Sequence, residues 1–514
     1  MRTTKLVLAM LALLVVFSGV LSAQILWKPE ASDSEGNSFV KSIQLGAYFN
    51  NYLYKYNDGD LRATDNTSIQ TVEITDDNIF IGYLELGGKM KAELAKDINF
   101  YLDVYRVGYW GNDSPEYTSA PPIYFRELFF NAPIFEFLTA TVGRFRYSLN
   151  PAPYTVHHNY VMTDLIDAVL LSGIFAKEFR IDVFADLFSM NAPIDSVYEL
   201  RASRHSSVTK YFDGDVNIIR FAFIPQIKPL DDGKNRIDLR PYAMFSRIGA
   251  TGSPGDNHGG NELTDAGAIG NHADNDWLFM AGLSTYTKIE GFSAAIEFGF
   301  SMGKDRRGPG IPDVDFSGIM AHASLAYEMP DVFGITLAGI YASGAETDKE
   351  GHYTNYGYMS FKADKIGGFL FRDYYGVYPY GILGTRGLSI EPTEAAKRSP
   401  MAGGMFRGSI EALNPVSIDI EFWAYLDTST SGADFEKPWL LAPDKFDQKR
   451  FGEFMGWELD VRIAWSIANN LLSVGVDAGL FVPGKFFAYQ VASLKSPFGN
   501  DKFYGLTVFS ALRF

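Results

Sequence analysis

The sequence contains no cysteine. That excludes disulfides, thiolate metal sites and any cysteine nucleophile. Positive charge is scarce: 45 Lys and Arg stand against 61 Asp and Glu, a formal net charge of −16. Nucleic acid is therefore not expected as a partner, because phosphate binding needs clustered Lys and Arg. Histidine is sparse at seven, with His157 and His158 the one adjacent pair and no HExxH spacing. No metal site and no cofactor are expected from that pattern. GxSxG is missing as well, and no compact nucleophile–base constellation stands out. Beyond residue 23 no apolar run reaches the roughly 18 residues that a spanning helix needs.

What is present begins with "MRTTKLVLAMLALLVVFSGVLSAQ", in which Arg2 and Lys5 precede an apolar run and small residues lead to Ala23. Residues 1–23 are expected to be a secretory signal peptide, with a retained N-terminal anchor the alternative. The chain is expected to be exported.

The dominant period is two. In "LELGGKMKAEL", Leu84, Leu86, Met90, Ala92 and Leu94 share one parity, and Glu85, Lys89, Lys91 and Glu93 share the other. The same device recurs in "FRIDVFADL", "VSIDIEFWAYL" and "WELDVRIAWSI". One flank is greasy and the other charged. The runs extend over about 10 to 14 residues, whereas globular strands cluster near 5 to 6. They come in pairs joined by tight turns at 94–99, 130–137, 175–179, 228–235, 288–293, 329–334, 413–417 and 467–470. Long polar loops follow the pairs, among them 188–214, 248–275, 342–403 and 427–452. Short turns on one side and long loops on the other is the asymmetry of a bacterial outer-membrane barrel.

Eight tight turns imply sixteen strands, and one strand before them and one after bring the number to eighteen. The expected fold is thus all-β: a transmembrane antiparallel up-and-down β-barrel of about 18 strands, 16 being the alternative, with long extracellular loops. Residues 24–40 are expected to form a short periplasmic segment, 41–514 the barrel, and 502–514 its closing strand. The stretch 343–403 is open between a further hairpin and a loop folded into the lumen.

"YFRELFFNAPIFEFLTATVGRFRYSLNP" (124–151) and "DLIDAVLL" (164–171) together resemble the front half of porins of the alginate-export and related substrate-selective families. The matching positions are Arg126, Val142-Gly143-Arg144 and Asp167, over about 50 residues. Phe145 stands where those porins usually carry Gln, and Ala168 where they carry Gly. Outer-membrane barrels also resemble one another in ending on an aromatic residue, here Phe514. That resemblance implies that the last strand closes the barrel and that Phe514 is read by the barrel-assembly machinery.

A barrel this wide encloses water, so charges are cheap on its inner face and expensive on its lipid face. The expected pore-lining residues are Lys89, Lys91, Arg126, Arg144, Arg146, Arg180 and Arg462 with Glu85, Asp182, Asp186, Asp419, Glu421, Glu458 and Asp460. Opposite charges on neighbouring strands also act as sheet glue, which is the plainer role for any one of them. Arg126, Arg144, Arg146 and Arg180 on successive strands are expected to form one positive stripe, since rings of Arg select anions. Loop 249–275 is dense in Asp, Asn and Gly but lacks regular Ca²⁺-ligand spacing, and is read as a solvated surface loop.

The expected function is an outer-membrane porin for passive diffusion of small polar or weakly anionic solutes such as sugars and carboxylates, not an enzyme. Its expected surroundings are outer-membrane lipid, with a homotrimer left open as an assembly. The alternatives are a barrel enzyme of protease or phospholipase type and a non-conducting surface adhesin or scaffold.

Overall fold

Aromatic and β-branched residues at a period of two suit a half-buried pleated surface, and tight turns between such runs force neighbours to pair antiparallel. In the computed structural model eighteen long strands do so in one continuous sheet. They are β1 (Val40–Tyr56), β2 (Ile79–Leu94), β3 (Asn99–Trp110), β4 (Ile123–Phe135), β5 (Leu138–Ser148) and β6 (Thr163–Ala176). Then come β7 (Phe179–Ser189), β8 (Val216–Asp231), β9 (Arg236–Ala250), β10 (Asn275–Ile289), β11 (Phe292–Asp305) and β12 (Val314–Met329). The wall is completed by β13 (Phe333–Ala342), β14 (Met401–Ile410), β15 (Val416–Asp427), β16 (Phe454–Ile467), β17 (Leu472–Pro483) and β18 (Phe503–Arg513). All eight expected tight turns join the strand pairs anticipated for them.

The structure describes residues 25–27, 40–56, 79–94, 97–110, 123–153, 161–189, 216–250, 275–305, 313–344, 401–411, 415–428, 454–467, 471–484 and 502–513, with a few shorter stretches between 346 and 368 and at 413 and 430–431. The expected signal peptide, most of 24–40, His157 and His158, most of loop 249–275, most of 343–403 and Phe514 lie outside the described residues.

The sheet closes on itself. β1 pairs with β2 along one edge and with β18 along the other, from Tyr48↔Arg513 to Tyr56↔Gly505. Past the end of β18 the short strand Ile25–Trp27 takes up the same edge, pairing Ile25↔Leu45 through Trp27↔Ile43. A closed sheet leaves no unpaired row of backbone donors and acceptors, which a lipid surrounding would not satisfy.

Within 343–400 the described strands are the short Glu346–Thr347 and Tyr353–Asn355, which pair with each other near the rim and add nothing to the barrel count. The turn between β8 and β9 shows why the hairpins are tight: the Asp232 carboxylate accepts from the backbone N–H of Lys234 at 2.9 Å and of Asn235 at 2.6 Å. Gly233 between them takes φ 87°, where a side chain would strain the backbone.

The two faces differ as the alternation requires. Outward lie exposed Leu86, Val142, Phe221, Phe223, Phe298, Phe300, Leu337, Phe422 and Ile463. Inward lie most of the ionisable groups of the strands, including buried Glu85, Asp182, Asp186, Glu297 and Glu458.

Candidate functional site: the inner wall

Over β1 to β4 the inner wall carries a network built around one inserted residue. Asp103 pairs with Glu127 and Val104 with Phe125, so Arg126 is the extra residue of a β-bulge. From there its Nη2 donates to Glu85 Oε2 at 2.7 Å and its Nη1 to the Tyr48 hydroxyl at 3.0 Å. Tyr48 donates onward to Asp103 Oδ1 at 2.7 Å, and Lys89 Nζ lies 3.4 Å from Asp103 Oδ2. Tyr83 and Asn50 also donate to Glu85. The guanidinium lies 4.4 Å from the centroid of the Tyr105 ring, a cation–π contact. Lys91 lies between Glu93 at 3.7 Å and the Tyr101 ring at 5.7 Å.

Over β5 to β9 the acids are held deeper. Asp182 accepts from Arg180 Nε at 2.6 Å, Ser172 Oγ at 2.7 Å, Tyr147 at 3.2 Å and Gln226. Arg220 forks onto Asp186, both buried. Asp238 accepts from Arg236 at 2.7 Å and Arg240 at 2.9 Å. On the other side, over β14 to β18, Arg407 donates to Asp419 at 2.8 Å and approaches Glu421 at 3.5 Å. Arg462 lies over the Phe509 ring at 4.6 Å and 3.7 Å from Asp477.

Two connecting segments fold inside the barrel. Residues 149–153 and 161–162 follow β5 yet reach β9 and β10: Arg240 Nη1 donates to the Leu149 carbonyl at 2.9 Å and Asn150 Nδ2 to the Thr285 carbonyl at 3.2 Å. Leu149, Val161 and Met162 are fully buried there. Among its described residues the long connection after β13 touches the wall at Asn355, which bonds the Ser317 backbone, at Tyr358 and at Gly368. Tyr358 is buried beside Gly299 and Gly318, and the Gly368 N–H donates to the Tyr425 hydroxyl at 2.9 Å, which itself donates to Glu458 Oε2 at 2.7 Å. These contacts seat connecting chain against the inner wall at β9 to β12 and at β15 and β16.

The wettest of the described inner ion-pair members are Lys89 and Arg462, although Glu93 beside Lys91 keeps 44% of its side-chain surface. Lys89, Arg180 and Arg462 keep 61%, 41% and 53% of their side-chain surface, while the acids beneath two of them, Asp103 and Asp182, keep 3% and 1%. At these two pairs the acid forms the foundation and the cation the lining.

The expected residues divide between the faces. Arg126, Arg180, Lys89, Lys91, Glu85, Asp182, Asp186, Asp419, Glu421, Glu458, Asp460 and Arg462 share the inward parity. Arg144 and Arg146 do not: Phe145 and Tyr147 are buried inward, Arg144 pairs opposite exposed Leu128, and its guanidinium grips Asp167 at 2.6 and 2.8 Å on the outward side. The expected single stripe of four arginines is therefore replaced by Arg126 and Arg180 inside and Arg144 and Arg146 outside. Sequence reading missed Tyr48 and Tyr425 as relay hydroxyls, and it missed the glycines that admit Tyr242 and Tyr358.

No protein-family model matches this chain, and no curated protein matches it. Among solved structures, it is similar to the outer membrane protein opdK from Pseudomonas aeruginosa at 8% identity, covering 92% of this chain and 98% of that one with a TM-score of 0.48. It is similar to Pseudomonas aeruginosa OccK2 (OpdF) in complex with glucuronate at 8% identity, 92% and 97% coverage and a TM-score of 0.46. A BenF-like porin from Pseudomonas fluorescens matches at 9% identity, 92% and 98% coverage and a TM-score of 0.46.

Proposed function

We propose that this chain is an outer-membrane porin that lets small polar solutes diffuse passively, with a preference for weakly anionic ones such as carboxylates and acidic sugars. The outward apolar face suits a bilayer, and the even strand number puts the start of β1 and the end of β18 on the short-turn side. One observation carries the preference: at Lys89 and Arg180 a water-exposed cationic tip stands on a buried acid, Arg462 is more exposed than its partner Asp477, and the wet carboxylate Glu93 lies away from them beside the 94–99 turn. A passing carboxylate meets Lys89, Arg126, Arg180 and Arg462 before it meets any of the acids beneath them. Selectivity from such linings follows the sign of the exposed ring.

The test is a reversal potential in planar bilayers under a salt gradient. Wild type passes anions in preference to cations, and Lys89→Gln, Arg180→Gln and Arg462→Gln combined shift the potential toward cation preference. An unshifted potential overturns the assignment of these residues. Liposome swelling with sugars of graded size checks the open lumen itself, and no swelling would remove the porin reading.

A further inference from the structure

The outward face, apolar over most of its height, carries ionisable strand residues at its two ends and nowhere between them among the described residues. At the long-loop end these are Lys55, Arg106, Arg144, Arg146, Arg247 and Lys304, with two carboxylates, Asp167 and Asp315. Their outward placement follows from register. Arg106 stands opposite Leu86 and Ile123, which are 58% and 66% exposed, while its neighbours Tyr105 and Val107 are buried inward. Lys55 stands opposite exposed Leu506, and Arg247 opposite exposed Ile219. At the short-turn end the outward charges are compensated: Lys41 meets Asp97 at 2.9 Å and Asp231 lies 4.0 Å from Lys228.

A cation on the lipid face is costly at the midplane and nearly free at the interface, which explains why these groups stop at the rim. It does not explain their sign. A chain of net charge −16 has more carboxylates than cations to spend. Among the described residues of this rim six cations stand against three carboxylates once Asp313, 3.9 Å from Lys304, is counted, the reverse of the composition. The side chains of Lys55, Arg106 and Arg146 make no ion pair with another described residue, and all three are exposed. Below Arg106 and beside Arg144 lie exposed Ile123, Phe125 and Leu128, an apolar bed along β4. Anionic oxygens above and hydrocarbon below is the shape of a phosphorylated lipid.

We infer that this rim binds the head-group phosphates of outer-leaflet lipids, with Arg106 and Arg146 flanking β4 as its principal contacts. The inference rests on the membrane placement proposed above but not on conduction. Guanidinium forks suit phosphate oxygens, and each near-surface cation adds to the attraction for an anionic head group.

The experiment uses the full barrel reconstituted in phosphatidylcholine bilayers with spin-labelled phosphatidic acid or spin-labelled phosphatidylcholine, reading the motionally restricted fraction of each. Wild type associates preferentially with phosphatidic acid, and Arg106→Gln and Arg146→Gln each lower that preference by about fivefold. Arg146→Lys retains most of it, and Lys41→Gln at the other rim leaves it unchanged. Equal association of both probes with wild type, or a preference untouched by either Gln variant, overturns the proposal. So does loss of the preference on adding millimolar inorganic phosphate, which would make free phosphate the ligand. Should Arg106→Gln misassemble, Arg146→Gln decides, since its side chain makes no ion pair with a described residue. Conductance on the same preparations separates the two readings: a conducting barrel without lipid preference overturns this one alone, and a lipid preference without conductance overturns only the porin.

Discussion

Gly282 and Gly299 face each other across the β10–β11 pair, and Tyr242 reaches over both to donate to the Phe298 carbonyl at 3.1 Å. A methyl at Gly299 would run into the Tyr242 hydroxyl and come within 3.2 Å of the Tyr358 hydroxyl, both of them side-chain tips. A methyl at Gly282 would meet the Tyr242 hydroxyl too, but first the Phe298 backbone oxygen, which no side-chain change removes. Gly299→Ala should therefore cost about 1–3 kcal/mol, most of it recovered when Tyr242→Phe removes the obstructing oxygen. Gly282→Ala should cost at least as much with no such recovery. Urea unfolding midpoints of the two double-mutant cycles check this, and equal rescue at both sites would refute it. Single residues were also where sequence reading failed. The run "GRFRYS" alternates equally well either way, and the rule of charge inward assumes an interior of water. At this height the interior is instead occupied by Leu149, Val161 and Met162, so Phe145 and Tyr147 turn in and the arginines turn out.

Turns and in-folded segments respond as units. Backbone hydrogen bonds from Asn235, then its side chain and the Lys234 backbone, hold the Asp232 carboxyl below the usual carboxylate range. A lowered folded value means the contribution is complete above the unfolded pKa and disappears as pH falls through the folded one. The Lys234 and Asn235 amides should thus exchange faster as pH drops below about 4, relative to the intrinsic rate, and Asp232→Ala should show that speed at every pH. Among the described residues the Gly368 N–H is held by the Tyr425 hydroxyl, so Tyr425→Phe should loosen this contact at a cost of about 1–3 kcal/mol and raise single-channel conductance. Unchanged conductance with a lowered unfolding midpoint would show that this contact stabilises without narrowing. The strands themselves were legible because length and period are local properties, as were all eight tight turns. The bulge at Arg126 was not, since it depends on the register of β3 against β4 and no Gly or Pro marks it.

Across the whole barrel the proposed ion preference is electrostatic and should weaken with salt. The Debye length shrinks from about 10 Å at 0.1 M to about 3 Å at 1 M, so anion selectivity should decline over that range in wild type. A preference that persists at 1 M would point to direct ligation or pore size instead. What the chain hides at this scale is the crossing of the lumen: Asn150 and Thr285 touch across 135 positions, a distance no local pattern spans. The seam carries a different consequence. β1 and β18 are the first and last long ribbons of the chain and lie side by side, with Ile25–Trp27 finishing the edge that β18 leaves uncovered. Topologically the molecule is a loop lacking one link. Splicing residue 513 to residue 25 through a short flexible tether, and starting the chain anew inside the 251–274 connection, should give a circular permutant with the same wall, recognised by unaltered heat-resistant mobility on a gel.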